Sequence, residues 1–377
     1  NDFLLSYFMY LSKLSLLNFK NYDEATFEFS PQINCFVGNN GVGKTNILDS
    51  IHYLSLAKSF YSNIDSTSIR NSEDFFIIEG TFFADSEYDS IHCSFQRHKQ
   101  KILKLNGKEY QKLSDHIGRY PVVMISPADN SLITEGSSER RKFLNKVISQ
   151  YNPIYLDSVL NYNKALLQRN KLLKDFNITG EFDPEMLEVW NAQLIKYGEY
   201  IFSERQKFEI EITPVFDEYY IFISSGNEMV KLIYCSQLKE ADFDELLHKS
   251  VNKDRILEYT TTGIHKDDLI FQLNGYPVKI FGSQGQQKSF LVALKLAKFD
   301  YLKRKSGFAP ILLLDDIFDK FDSERVEKII DLAGNNRFGQ IFITDTDENR
   351  MRNILLRFNA DYRLFRIEKG NKILIVS

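Results

Sequence analysis

Apolar and polar positions along this chain follow two different periods, and their order predicts the elements. Ile33-Asn34-Cys35-Phe36-Val37 is short and mostly apolar, the pattern of a buried strand, and residues 46–54 then carry apolar side chains at helical spacing. From Asp74 to Leu105 the alternation is strand-like, with Asn106-Gly107 supplying a hairpin turn, so an antiparallel sheet is expected there. From about Asp129 to Tyr259 the spacing becomes mainly helical. Tyr155, Val159, Leu160, Tyr162, Leu166 and Leu167 make one expected stripe, Leu187, Trp190, Leu194, Tyr197 and Ile201 another, and Pro153, Pro184 and Pro214 punctuate the helices. Residues 290–297 read as a buried helix, 309–314 as a continuous apolar strand and 340–346 as another. A helix follows from about Glu348, and residues 372–376 close the fold.

The predicted class is therefore α/β. The expected division is an N-terminal part over 9–128, an inserted and mainly helical lobe over 129–259, and a C-terminal part over 260–377. The insertion is required because Lys44 and Ser283 stand much further apart in sequence than one helix and one strand need.

Between the first strand and helix lies Gly38-Asn39-Asn40-Gly41-Val42-Gly43-Lys44-Thr45-Asn46, which matches the phosphate-binding P-loop pattern in its required context of strand, glycine-rich loop and helix. Glycines let backbone N–H groups turn toward a polyphosphate, and the helix presents its positive end to the same oxygens. Lys44 is the expected point charge on the β and γ phosphates, and the Thr45 hydroxyl an expected Mg²⁺ ligand. ATP with Mg²⁺ is the expected nucleotide.

The strand at 309–314 ends in Asp315-Asp316, a Walker B pattern that places both carboxylates at the ligand-bearing carboxyl edge of a parallel sheet. Asp315 is expected to hold Mg²⁺ and Asp316 to polarise the attacking water. Ser283-Gln284-Gly285-Gln286 opens the buried helix at 290–297. With one phosphate loop already present, Ser283, Gly285 and Gln286 are expected to face the γ-phosphate of a partner subunit.

A net charge of −4 means that a nucleic-acid partner must be met by a local basic surface. The 43% hydrophobic content supports a sizeable core, while no apolar run approaches the ~20 residues that span a bilayer, so no membrane role is expected. Cys35, Cys93 and Cys235 are scattered, which predicts reduced core residues and a cytoplasmic setting. The opening eight residues lack a basic region, and translation is expected to begin at Met9.

Taken together, the P-loop, Ser283–Gln286, the acidic strand and Phe318-Asp319-Lys320-Phe321-Asp322 resemble the signature, Walker B and D-loop of ABC-type ATPases. More closely, the chain is similar to the RecF family of DNA recombination and repair ATPases. That resemblance runs from Tyr10 to the C-terminus and includes Leu14-Ser15-Leu16-Leu17-Asn18-Phe19-Lys20-Asn21-Tyr22, Arg140-Arg141-Lys142-Phe143-Leu144, Gln168-Arg169-Asn170 and Thr262-Gly263-Ile264-His265-Lys266-Asp267-Asp268-Leu269. Ala128, Ser138, Asn145 and the Asp-Lys-Phe-Asp of the D-loop depart from the family pattern.

The resemblance implies an ABC-type head with mixed and antiparallel sheets. It also implies ATP-driven homodimerisation on duplex or gapped DNA, slow DNA-stimulated hydrolysis for release, and work with RecO and RecR in loading RecA, with SOS induction downstream. Thr344 takes the position where other ABC-type ATPases place a switch histidine and is an expected γ-phosphate sensor. Arg140, Arg141, Lys142 and Arg169 are the expected DNA contacts. The segment at His265 is expected to be structural, because one His and two adjacent acids form no recognisable ligand set. The rivals are a Rad50-like or SMC-like end-bridging ATPase, which needs a long coiled coil, and the nucleotide-binding subunit of a transporter.

Overall fold

The computed structural model describes residues 9–84, 86–224, 226, 228–317, 328, 338–357, 360–368 and 373–375. The chain opens with strands β1 (Tyr10–Phe19), β2 (Tyr22–Glu28) and β3 (Ile33–Val37) and helix α1 (Lys44–Leu56). Then come β4 (Phe75–Ala84), β5 (Glu87–Gln96), β6 (Ile102–Leu105), β7 (Lys108–Glu109) and β8 (Val122–Ile125). Strands β2-β1-β4-β5-β6-β7 form an antiparallel sheet; the alternation from Asp74 to Leu105 predicts β4, β5 and β6, and β1 and β2 extend the sheet beyond that expectation.

Contacts divide the chain into two units, the first of which reaches Asn130, takes in Tyr219–Gly226 and resumes at Lys288. The second consists of Ser131–Glu218 and Asn227–Gln287.

The inserted unit contains α2 (Ser131–Thr134), α3 (Ser137–Ile148), α4 (Pro153–Thr179), most of α5 (Pro184–Ser224) and α6 (Phe243–Leu257). It also holds β9 (Val230–Cys235), β10 (Asp268–Leu273), β11 (Tyr276–Pro277) and the short α7 (Val278–Phe281). The expected return at residue 260 is thus displaced. Residues 260–287 stay with the insertion because β10 pairs along its length with β9, from Asp268 opposite Cys235 to Leu273 opposite Val230.

Two further expectations change inside this unit. On α4 the buried stripe is Tyr155, Ser158, Tyr162, Ala165, Arg169 and Leu173, whereas Leu160 and Leu167 are exposed. Pro153 and Pro184 do open helices, but α5 runs through Pro214, so that proline is no boundary.

In the first unit, helix α8 (Gln284–Ser306), which begins in the insertion, is buried continuously from Ser289 to Leu302, and its charged Lys295 and Asp300 are accommodated there by Asp129 and the Tyr219 hydroxyl. Strands β12 (Ile311–Leu314), β13 (Ile341–Asp345), β14 (Tyr362–Ile367) and β15 (Ile373–Ile375) complete a second sheet of order β15-β14-β3-β13-β12-β8. From β14 to β8 its neighbours are parallel, and only β15 is antiparallel. Every residue of β3, β8, β12 and β13 is buried, which is why these strands read as apolar runs without alternation. Phe27, Phe29, Phe36, Phe342 and Phe365 pack ring against ring where the two sheets share a core.

The register decides where chemistry can occur. Thr344 and Asp345 on β13 sit opposite Phe36 and Val37 on β3, and Leu314 on β12 sits opposite Ile343. The loop after β3, the acids after β12 and the end of β13 therefore share one edge of the sheet, the carboxyl edge where open α/β sheets take ligands.

Candidate functional site

The loop leaves β3 at Gly38, whose N–H donates to Asp345 O at 3.3 Å, and enters α1 through Gly43 with φ of 115°. A Cβ on Gly43 would run into the Asn21 side chain, and one on Gly38 (φ 150°) into the carbonyl of Ile367, so neither position accepts another residue without movement. Asn39, Asn40 and Gly41 are exposed at the turn and Val42 is half-buried. Asn21 braces the loop, donating to Val42 O at 2.9 Å and accepting from Asn46 Nδ2 at 2.6 Å, while Tyr22 OH donates to Gly43 O at 3.3 Å. The turn between β1 and β2 thus supports the phosphate loop.

Lys44 is buried, and its ammonium donates to Gly38 O at 2.7 Å and Asn39 O at 3.0 Å, holding a positive charge inside the curve of the loop. No side chain caps the N-terminus of α1, whose first-turn N–H groups face the same region.

Asp315 collects hydroxyls. Its Oδ1 accepts from Thr45 and from Thr344, each at 2.9 Å, and its Oδ2 accepts from Tyr61 at 2.6 Å. Thr344 also accepts from the backbone N–H of Asp316 at 2.9 Å, so one hydroxyl ties the two acids to β13. Asp316 itself sits at φ 45°, a left-handed conformation that aspartate tolerates better than most residues and that recurs at functional sites.

A hydroxyl and a carboxylate brought together at a sheet edge are hard oxygen donors of the kind Mg²⁺ accepts, and Mg²⁺ retains several waters, so two protein ligands suffice. The residues present fit the ion.

Ser283, Gly285 and Gln286 belong to the inserted unit. There Ser283 and Gln286 form a reciprocal capping box: Gln286 N–H donates to Ser283 Oγ at 3.3 Å, and Ser283 N–H to Gln286 Oε1 at 2.7 Å. Gln286 Nε2 also donates to Glu228. All of Ser283, Gln284 and Gly285 are at least partly exposed.

Residues 10–372 match the family described as the RecF/RecN/SMC N terminal domain. The chain is 48% identical over 359 residues to a DNA replication and repair protein RecF of Flavobacterium johnsoniae, covering 95% of this chain and 100% of that one. A protein of the same description from Parabacteroides distasonis is 50% identical over 362 residues, with 96% and 98% covered. The chain belongs to the RecF family.

A solved structure of the recombination mediator protein RecF with ATP, in the RecFOR pathway, superposes on this RecF-family chain with a TM-score of 0.89 at 28% identity, 98% of each chain being covered. The SMC head domain of Pyrococcus furiosus shares the fold, with a TM-score of 0.58 at 19% identity over 98% of this chain and 96% of that one. The architecture is accordingly that of an ABC-type ATPase head with an insertion, in a family of DNA replication and repair proteins.

The basic residues expected to meet DNA do not share one environment. Arg169 is fully buried, pairing with Asp254 at 2.7 Å and donating to Thr260 at 2.8 Å and Asn191 at 2.8 Å, so it is a core residue and not a DNA contact. Arg140 grips Asp268 through two bonds of 2.7 and 2.8 Å, and Arg141 donates to Ser137 Oγ and Asp267 O, both at 2.7 Å. Both are engaged within the unit. Lys142 keeps an exposed side chain beside Glu139.

His265 is structural, its Nε2 bonded to Thr260 O at 3.0 Å and its Nδ1 to Tyr162 OH at 2.8 Å; Asp267 next to it pairs with buried Arg205 at 2.6 Å. Asn145 accepts from Tyr155 OH at 2.7 Å and Arg205 at 3.0 Å. Cys35 and Cys93 are buried and Cys235 half-buried, all free thiols. Among the described residues, no helix is long and apolar enough to cross a membrane. The expected D-loop, Phe318 to Asp322, lies outside the described residues.

The sequence reading missed Tyr61, Ser126, Asn21 and Asp49. Asp49 on α1 is fully buried and accepts from Ser59 Oγ at 2.7 Å and Phe60 N–H at 2.6 Å, with the Lys20 ammonium 2.5 Å away, so the loop carrying Tyr61 is tied to the helix that starts at Lys44. An acidic residue inside an apolar helical stripe is the one signal that pointed there.

Proposed function

We propose that this chain is an ATP-dependent DNA-binding protein of recombinational repair and replication restart. Two copies close around two ATP molecules on duplex DNA near single-stranded gaps, and slow hydrolysis releases them. The observation that carries this reading is the convergence of Thr45, Thr344 and Asp315 beside a P-loop whose Lys44 lies within its curve. Relatives described as DNA replication and repair proteins, and a similar structure described as RecF with ATP, support it.

In this mechanism Gly38 opens the loop, and the N–H groups from Asn39 to Thr45, Asn46 at the start of α1, and Lys44 bind and orient the triphosphate. Thr45 and Asp315 would hold Mg²⁺, which when bound screens phosphate charge. Asp316 accepts the proton of the attacking water, and Thr344 keeps the two acids in register. Ser283, Gly285 and Gln286 of one copy meet the γ-phosphate held by the other; Ser283 retains a hydroxyl proton to donate, since its capping bond uses the oxygen as acceptor. ATP then joins the subunits, and its cleavage removes the joint. RecO and RecR are the partners that the family implies, and RecA loading the step served. The cytoplasm is the compartment that such DNA substrates require.

Light scattering with ATP·Mg²⁺ and the Asp316→Asn variant tests the reading. A doubling of molar mass with ATP, and retention of gapped DNA by the doubled species, is expected. A persistent monomer that still binds ATP would confine Ser283 to its capping role and defeat the composite site. An SMC-like end-bridging role calls for a coiled coil extending well beyond the 27 residues of α4 and 41 of α5.

A further inference from the structure

Asp315 has two carboxylate oxygens, and the residues expected around a nucleotide account for only one of them. Thr45 and Thr344 both donate to Oδ1, while Oδ2 is held by Tyr61 at 2.6 Å. Tyr61 reaches the acid from a loop, and 38% of the residue remains exposed, so packing alone does not fix it. What fixes it is polar. Ser126 Oγ lies 2.9 Å from the same hydroxyl, the Lys20 ammonium stands 5.3 Å from the ring centroid, and the Tyr61 N–H donates to Ser59 Oγ at 3.2 Å. Ser59 in turn donates to Asp49 of α1. The chain of bonds runs from the helix that starts at Lys44, through the loop, to the carboxylate at the end of β12.

We propose that Tyr61 is a positioning residue for the metal-binding carboxylate. A phenol has one proton, and that proton goes to Asp315, because a carboxylate accepts only; Ser126 must then donate to the phenol oxygen. With Oδ2 held on one side and Thr344 on the other edge, the carboxylate plane is fixed and Oδ1 is left turned toward Thr45. Mg²⁺ demands near-ideal octahedral geometry and tolerates little searching by its ligands, so an acid fixed in advance binds it at lower concentration.

This inference rests on the reading of Thr45 and Asp315 as the Mg²⁺ ligands. The test is a Mg²⁺ titration of fluorescent ATP analogue binding by the full chain, with a second series in EDTA. Tyr61→Phe keeps the ring against Phe60 and beneath Lys20 and removes only the hydroxyl. Its half-saturating Mg²⁺ concentration is expected to rise about tenfold, the order of one hydrogen bond to a charged group, with unchanged binding in EDTA. Mg²⁺ dependence within twofold of the parent overturns the proposal. So does a fall in the half-saturating concentration, which would make the hydroxyl a competitor of the ion, and so does an equal loss of binding in EDTA, which would make Tyr61 merely structural. Asp315→Ala separates the two levels of argument: if it too leaves the Mg²⁺ dependence unaltered, the assignment of the metal site fails along with the inference.

Discussion

Thr45 donates to Asp315 at 2.9 Å across 270 positions of sequence, and this one bond joins the start of α1 to the end of β12. Each residue is marked by the motif of its own segment, but neither segment records the other. The parallel register of β3, β13 and β12 is what brings the hydroxyl after one strand to the carboxylate after another.

The first prediction concerns Lys44, the charge in the curve of that loop. Lys44→Ala removes an ammonium that phosphate oxygens would otherwise meet, and ATP affinity should fall on the order of 100-fold, as for a strong hydrogen bond to a charged group. Isothermal titration checks it. Affinity within threefold of the parent would show that the backbone N–H groups carry the binding alone.

Asp316 sits in a left-handed conformation with its N–H held by Thr344, which fixes its backbone independently of its side-chain charge. Asp316→Asn preserves that geometry and removes the proton acceptor. Turnover should drop by about 10²- to 10⁴-fold with ATP affinity little changed, and ATP-bound dimers should persist longer. Single-turnover hydrolysis and light scattering together decide it. Unaltered turnover would assign the proton to another group.

Arg169 and Lys142 should part company when each is substituted. Arg169→Met leaves Asp254 buried without its cation, an expected loss of about 3–5 kcal/mol in unfolding free energy by urea titration. Lys142→Glu should barely affect stability. If Lys142 meets phosphate, its loss weakens DNA binding alike on all sequences and makes the salt dependence shallower. A salt slope changed by the arginine variant and not by the lysine variant, with both proteins folded, would reverse the assignment.

What could be read in the sequence was local. The P-loop, the acidic strand end and the apolar runs of β3, β12 and β13 are each encoded within a few consecutive residues, and all three elements form as expected. Non-local pairing escaped. Residues 260–287 fall with the insertion because β10 finds β9 across a helix, which no periodicity records. Arg169 was misread because a charged residue defaults to solvent, whereas its place beside Tyr162, Ala165 and Leu173 on α4 puts it inside, where Asp254 offsets the charge. Leu160 and Leu167 show the reverse error, apolar residues on an exposed face. Tyr61 carried no motif at all, and its role follows from the partner it reaches.

Two histidines, the buried His116 and the half-buried His265, give the fold a pH dependence whose sign is fixed by their surroundings. His116 is pushed down to about 4, chiefly by burial, with the Arg119 charge adding to it and its bond to Leu54 O opposing. His265 is also pushed down to about 4, again chiefly by burial, with Lys266 and Arg141 adding and Thr260 O opposing. In both, the carbonyl can only accept, so Nε2 carries the proton and Nδ1 is left to accept from Tyr110 OH or Tyr162 OH. A folded value below the unfolded one means that the unfolded chain binds more protons between the two. Stability is then fully present above about pH 6.5 and is lost as pH falls toward 4, at up to about 1.4 kcal/mol per pH unit for each histidine. Asp267, raised by burial, shifts the other way, so the comparison is made between variants. Urea midpoints should decline from pH 7 to pH 5 in the parent and decline less in His116→Gln and in His265→Gln. Equal slopes in all three proteins would mean that these imidazoles are protonated in the folded state as readily as in the unfolded chain.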